Sequence, residues 1–129
     1  MAFKINPDVL PMSTYVVATG SNQYGSYIKY DNGIMICWRI TNPIEVSVTT
    51  QWGNLYYGKI NDYYRFPAYF IETPFVIYDI LPTTSLGAFK LPYSAPTITS
   101  EKIDELYVGR ATSATTTVRT YIIAIGKWK

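Results

Sequence analysis

Between Tyr27 and Ile40 the chain reads YIKY, then DNG, then IMICWRI. β-Branched and aromatic residues fill both arms, and Asn32-Gly33 supplies the backbone freedom that a tight turn demands. The spacing predicts an antiparallel hairpin. Along the second arm the residues alternate with a period of two, putting Ile34, Ile36, Trp38 and Ile40 on one face and Met35, Cys37 and Arg39 on the other. The bulkier row, with Trp38 among three isoleucines, is expected to face the core of a sheet packed on one side.

The same vocabulary recurs along the chain. Residues 1–5, 14–17, 44–50, 55–57, 75–81, 87–91, 107–111 and 116–125 read as further strands, with Ile44, Val46 and Val48 pointing inward. They repeat about every ten residues and are separated by Gly, Pro and Asn. Residues 19–22, 61–65 and 93–100 read as loops, and residues 101–106 have room for one helical turn. No helix of ordinary length fits. This pattern predicts an all-β fold, an antiparallel β-sandwich of jelly-roll type, with no internal repeat.

Composition narrows the function. The 129 residues are 48% hydrophobic and 16% aromatic, with 13 Tyr, but only 16% are charged, well below the usual quarter or so. The apolar surplus has to be hidden in a core, a subunit interface or a ligand groove. A net charge of +2 without a basic cluster argues against nucleic acid. There is no His, which removes the commonest general base and the commonest metal ligand. The single cysteine, Cys37, excludes an internal disulfide and reads as a small buried or interface residue. No apolar run approaches the roughly 18 residues of a membrane span, and no signal peptide opens the chain. The expected product is soluble, made in a cytoplasm, without membrane insertion, and has no cofactor.

Three blocks, GSNQYGSYIKYDNGIMICW from Gly20, FPAYFIETPFVIYDI from Phe66 and VRTYIIAIGKWK from Val118, resemble the C-terminal receptor-binding domains of bacteriophage tail fibres. The first is fairly specific. The resemblance implies a homotrimeric β-sandwich head, residues 20–129, at the distal tip of a virion tail fibre made in the host cytoplasm. Residues 1–19 would form an N-terminal segment joining it to a fibre shaft. The implied partner is a bacterial surface glycan, or a surface protein. The matching blocks read as scaffold, so no binding residue follows from them.

Ligand candidates come instead from side-chain chemistry. Sugars present apolar C–H faces ringed by hydroxyls, which aromatic rings and polar side chains meet respectively. The aromatic segment with interleaved polar residues provides both: Trp52, Asn54, Asp62, Tyr63, Tyr64 and Arg65, flanked by Tyr56, Tyr57 and Tyr69. The plainer role for Tyr56, Tyr57 and Tyr69 is packing, whereas Asp62, Tyr63, Tyr64 and Arg65 read as a solvent-facing loop. Tyr93 is a second candidate, more simply read as a loop ring laid over the core. Trp38 and Trp128 read as structural.

Catalysis has little to build on. A glycosidase needs two carboxylates about 5–10 Å apart. Only Asp79, inside an apolar strand, has a reason to be perturbed, and it is more simply an outward-facing residue. There is no Ser/His/Asp arrangement, metal-ligand spacing or phosphate loop. The domain is therefore expected to adhere without reacting. The alternatives are a trimerising cap without ligand, and a polysaccharide-cleaving tail domain.

Overall fold

The computed structural model describes residues 14–83 and 87–129, and within them every regular element is a strand. The expected strand at residues 1–5 lies outside the described residues. In order these are β1 (Val16–Asn22), β2 (Gly25–Tyr30), β3 (Ile34–Ile40), β4 (Ile44–Val48), β5 (Thr50–Trp52), β6 (Leu55–Lys59), β7 (Tyr64–Arg65), β8 (Phe75–Pro82), β9 (Phe89–Lys90), β10 (Thr97–Ile98), β11 (Lys102–Asp104), β12 (Tyr107–Arg110) and β13 (Ala114–Lys127). Each pairing is antiparallel.

The long strand β13 organises the largest sheet, ordered β1-β2-β3-β13-β4 with β8 also on β13. Val118 pairs with Ile44 of β4 and with Pro82 of β8, so these strands occupy opposite edges of β13. Further along, Tyr121 to Lys127 pair with Ile40 to Ile34 of β3. Strands β3 and β4 thus follow one another along a single edge, interrupted at Asn42-Pro43, where proline cannot donate to the ladder. At that break Thr41 N–H donates to Thr120 O (2.9 Å) and Thr41 Oγ1 accepts from Thr120 N–H (2.9 Å).

Two smaller sheets, β5-β6-β12-β9 and β10-β11-β7, complete the layers. The core between them joins Met35, Cys37, Val46, Val48, Ile80, Val118, Ile122 and Ala124 of the large sheet to Ile60, Tyr64, Phe66, Phe70, Ile103, Leu106 and Val108. Gly58 lets β6 approach β4: a Cβ there would overlap the Ser47 carbonyl.

The predicted hairpin is present as β2-β3. In its turn Gly33, not Asn32, takes positive φ (93°), while Asn32 Oδ1 accepts from Ile34 N–H (3.0 Å). The C-terminus closes over this turn: Trp128 N–H donates to Gly33 O (2.9 Å) and Trp128 Nε1 to Tyr30 O (2.8 Å). A first hairpin, β1-β2, was hidden in residues read as loop, and β1 reaches back to Val16. The expected helical turn is instead β11 and a bend at Glu105, whose φ is 63°. Ile103 and Leu106 are both buried, and their three-residue spacing imitates a helix face.

The face assignment of β3 is corrected. Met35 and Cys37 are buried to 0% and 1% exposure, whereas Trp38 and Ile40 stand 41% and 59% exposed. Both faces of β3 are apolar, so alternation defines the faces without ranking them. The slimmer face packs inward with Ala124 and Ile122. The bulkier one belongs to an outer surface.

Candidate functional site

The sequence candidates fall into two groups. Trp52 ends β5, and Gly53 (φ 61°) with Asn54 forms the two-residue turn into β6, where Trp52 pairs with Leu55. Glycine at the first central position suits this hairpin geometry. Asn54 is exposed at the tip. The pairings Thr50 with Tyr57 and Tyr57 with Gly109 carry the face across to β12, where Tyr107 lies beside Lys59. Gly109 has no room for a Cβ because the Phe89 ring would lie 2.6 Å from it.

On this face four rings converge. Tyr93 stacks on Tyr57 with centroids 4.0 Å apart and planes 15° from parallel. Trp52 meets Tyr93 edge-on at 5.3 Å. Tyr107 lies 5.2 Å from Tyr93 and 6.0 Å from Tyr57. The Tyr57 hydroxyl is held above the usual tyrosine range, first by its hydrogen bond to Tyr93 and then by burial. Trp52 and Tyr93 remain exposed, and the Lys59–Glu105 ion pair (3.2 Å) flanks Tyr107. The result is an amphipathic aromatic platform carrying three tyrosine hydroxyls, suited to the apolar face of a sugar.

The second group sits around β7 and β11, where Arg65 pairs with Lys102 and Tyr64 with Ile103. Tyr63 is exposed, with Lys102 Nζ 4.3 Å and Arg65 Cζ 5.6 Å from its ring centroid. Arg65 Nη1 donates to the Tyr69 hydroxyl (2.8 Å). The exposed Asp62 turns Oδ1 to its neighbour's Tyr63 N–H (2.8 Å).

Tyr64 departs from the expected solvent-facing loop. It is 3% exposed and alternates inward between Tyr63 and Arg65, so its ring fills the core and offers no surface to a ligand. Burial raises its pKa, and its hydroxyl lies beside Thr41 and Thr120. Arg39 covers it from the rim, 5.1 Å from its ring, with its guanidinium pKa lowered by burial.

The platform therefore takes Trp52 and Tyr57 from the first candidate cluster and Tyr93 from the second, with Asn54 exposed at the adjoining turn, and adds Tyr107. Tyr107 was legible only as a strand residue, because its neighbours come from pairing distant in sequence. Among the described residues, no cluster of three or more Cys, Asp or Glu is arranged to hold a metal. Asp79 faces outward, with Oδ1 accepting from Ile80 N–H (2.8 Å).

A third feature is apolar. The exposed Trp38, Ile123 and Ile77 lie in one cross-strand row over β3, β13 and β8, with Ile125 and Phe75 in the next and Ile40 and Tyr121 beyond. Trp38, Ile40, Tyr121 and Ile123 border a shallow groove of about 220 Å³.

No family model and no curated protein matches the chain. The fold is similar to that of the R1 pyocin fibre of P. aeruginosa, in a structure comprising its C-terminal residues 323–701 (TM-score 0.56, 11% identity, 91% of this chain and 28% of that one). It is similarly close to an N-truncated R1-type pyocin tail fibre (TM-score 0.55, 11% identity, 91% of this chain and 86% of that one). The chain thus spans just over a quarter of the longer fragment. The likeness is one of fold, an all-β antiparallel architecture shared with part of those pyocin fibres.

Proposed function

We propose that this chain is the receptor-binding domain of a phage or pyocin-like tail fibre and attaches the particle to a saccharide on the bacterial surface. The observation carrying this reading is the platform of Trp52, Tyr57, Tyr93 and Tyr107, three of whose rings bear hydroxyls. The fold likeness to pyocin tail fibres supports the setting: a distal position on a tail, with a fibre shaft on the N-terminal side. Adhesion here is non-covalent, without catalysis or cofactor, and the protein is made in the host cytoplasm.

The same reading makes the head a homotrimer. Eight large side chains of the outer face, Trp38, Ile40, Phe75, Ile77, Leu81, Tyr121, Ile123 and Ile125, are exposed. At roughly half exposure each they leave on the order of 700 Å² of apolar surface. Ordinary monomers rarely carry a patch above about 600 Å², while a stable interface takes about 800 Å² from each partner. Asp79 lies within it, between Ile77 and Leu81, and Arg119 and Lys127 flank it along β13, so a copy of the same chain, carrying both signs of charge, is the fitting occupant. Threefold repetition then multiplies a shallow sugar site by avidity.

Attachment of the labelled protein to candidate host cells, before and after periodate oxidation of their surface glycans, tests the function. Oxidation should abolish attachment; unchanged attachment would point to a protein receptor.

A further inference from the structure

Arg65 and Lys102 are direct cross-strand partners in the small β10-β11-β7 sheet. Like charges directly opposite one another repel, so such a pair is normally separated by acids or avoided. Here the acids stand off. Lys102 Nζ is 4.0 Å from Asp104 Oδ2, the outer limit of an ion pair, and Arg65 has no carboxylate within that distance among the described residues. Asp62, the nearest acid in sequence, turns an oxygen to the backbone of Tyr63. Both cations instead share the Tyr63 ring, at 5.6 and 4.3 Å, and Arg65 is oriented by the Tyr69 hydroxyl. Tyr63 and Tyr69 are each substantially exposed.

We infer that Arg65 and Lys102 form a receptor for one anionic group, a carboxylate or a phosphate, on a saccharide whose ring lies against Tyr63. Arg65 presents a planar fork of donors already held by Tyr69, and Lys102 adds a mobile point charge from the neighbouring strand. An anion between them offsets a repulsion that, among the described residues, only Asp104 relieves, and only at 4.0 Å from Lys102. The inference rests on the saccharide-binding reading and names a charged ligand class within it. Its residues are separate from the Trp52, Tyr57, Tyr93 and Tyr107 platform, which the chain reaches through residues 59–62 and through Glu105.

The test is calorimetric titration of the purified chain with methyl glucuronide, glucose 1-phosphate, methyl glucoside and inorganic phosphate, repeated on Arg65→Gln and Lys102→Gln. The uronide or the sugar phosphate should bind at least tenfold more tightly than the neutral glucoside, and whichever is preferred identifies the anion. Each substitution should weaken that ligand tenfold or more. The preferred ligand should also raise the Tm of the unsubstituted chain but not of either variant, because a ligand stabilises only the state that binds it. Equal affinity for inorganic phosphate and sugar phosphate would reduce the pair to an adventitious ion site and overturn the inference. So would equal affinity for charged and neutral glycosides, or binding unchanged in both variants. Loss of platform binding with this titration intact would remove the platform alone, keeping the two failures distinguishable.

Discussion

Thr41 and Thr120 exchange two hydrogen bonds across the edge where β3 gives way to β4: Thr41 N–H donates to Thr120 O, and the Thr41 hydroxyl accepts from Thr120 N–H. Both residues are buried. The Thr41 side chain thus stands in for the backbone acceptor lost at the Asn42-Pro43 break. Thr41→Val keeps the shape but leaves the Thr120 N–H unpaired in the core, which costs about 1–3 kcal/mol. Urea denaturation should show that loss, with a lower midpoint at unchanged slope.

The neighbouring Tyr64 behaves in the opposite sense. Its hydroxyl is buried beside those two threonines without a well-directed partner, as is Thr120 Oγ1. Tyr64→Phe removes an unsatisfied polar atom and keeps the ring, so stability should hold or rise by up to about 1 kcal/mol. Adhesion should be unchanged, which a cell-binding assay of the variant checks.

Alkaline pH should weaken the fold in two stages. Burial pushes the Cys37 thiol from its ordinary 9.0 up to about 11. In the unfolded chain the thiol ionises first, so its contribution is intact below pH 9 and is lost as pH rises to 11. The loss is on the order of 2 kcal/mol. Tyr64 and Tyr78, also raised by burial, extend the decline above the usual tyrosine range. Chemical denaturation at pH 8, 9, 10 and 11 should follow that course, and Cys37→Ala should flatten its first stage.

The outer apolar face should be covered by copies of the chain. Light scattering coupled to size exclusion should give three times the 14.7 kDa chain mass. Ile123→Asp, at the centre of the exposed row, should yield monomers with secondary structure retained. A monomeric unsubstituted protein would refute the homotrimer and leave the face to another partner.

Much of the fold was legible because local signals and tertiary outcome agree. Asn32-Gly33 turned where expected, Val46 and Val48 point inward, and residues 116–125 lie in the strand that organises the large sheet. Failures arose where only long-range partners decide. The choice between the Met35/Cys37 and Trp38/Ile40 faces depended on what packs opposite, and residues 19–22 became strand only through pairing with β2. The site was legible in part for the same reason. The run from Trp52 to Arg65 is contiguous in sequence, but strand geometry sends its two ends to different clusters and turns Tyr64 inside. Tyr93 and Tyr107 join Trp52 and Tyr57 from the other half of the chain.

Adhesion through the aromatic platform is most directly tested by biolayer interferometry of the purified protein on surface polysaccharide from cells it attaches to. The comparison is between the unsubstituted chain and Trp52→Ala/Tyr93→Ala, whose side chains are exposed enough to leave the core intact. Stacking contacts contribute about 0.5–1.5 kcal/mol apiece, and avidity compounds their loss. The double variant should therefore bind at least tenfold more weakly at nearly unchanged Tm. Binding equal to that of the unsubstituted protein would contradict the platform as the adhesive site.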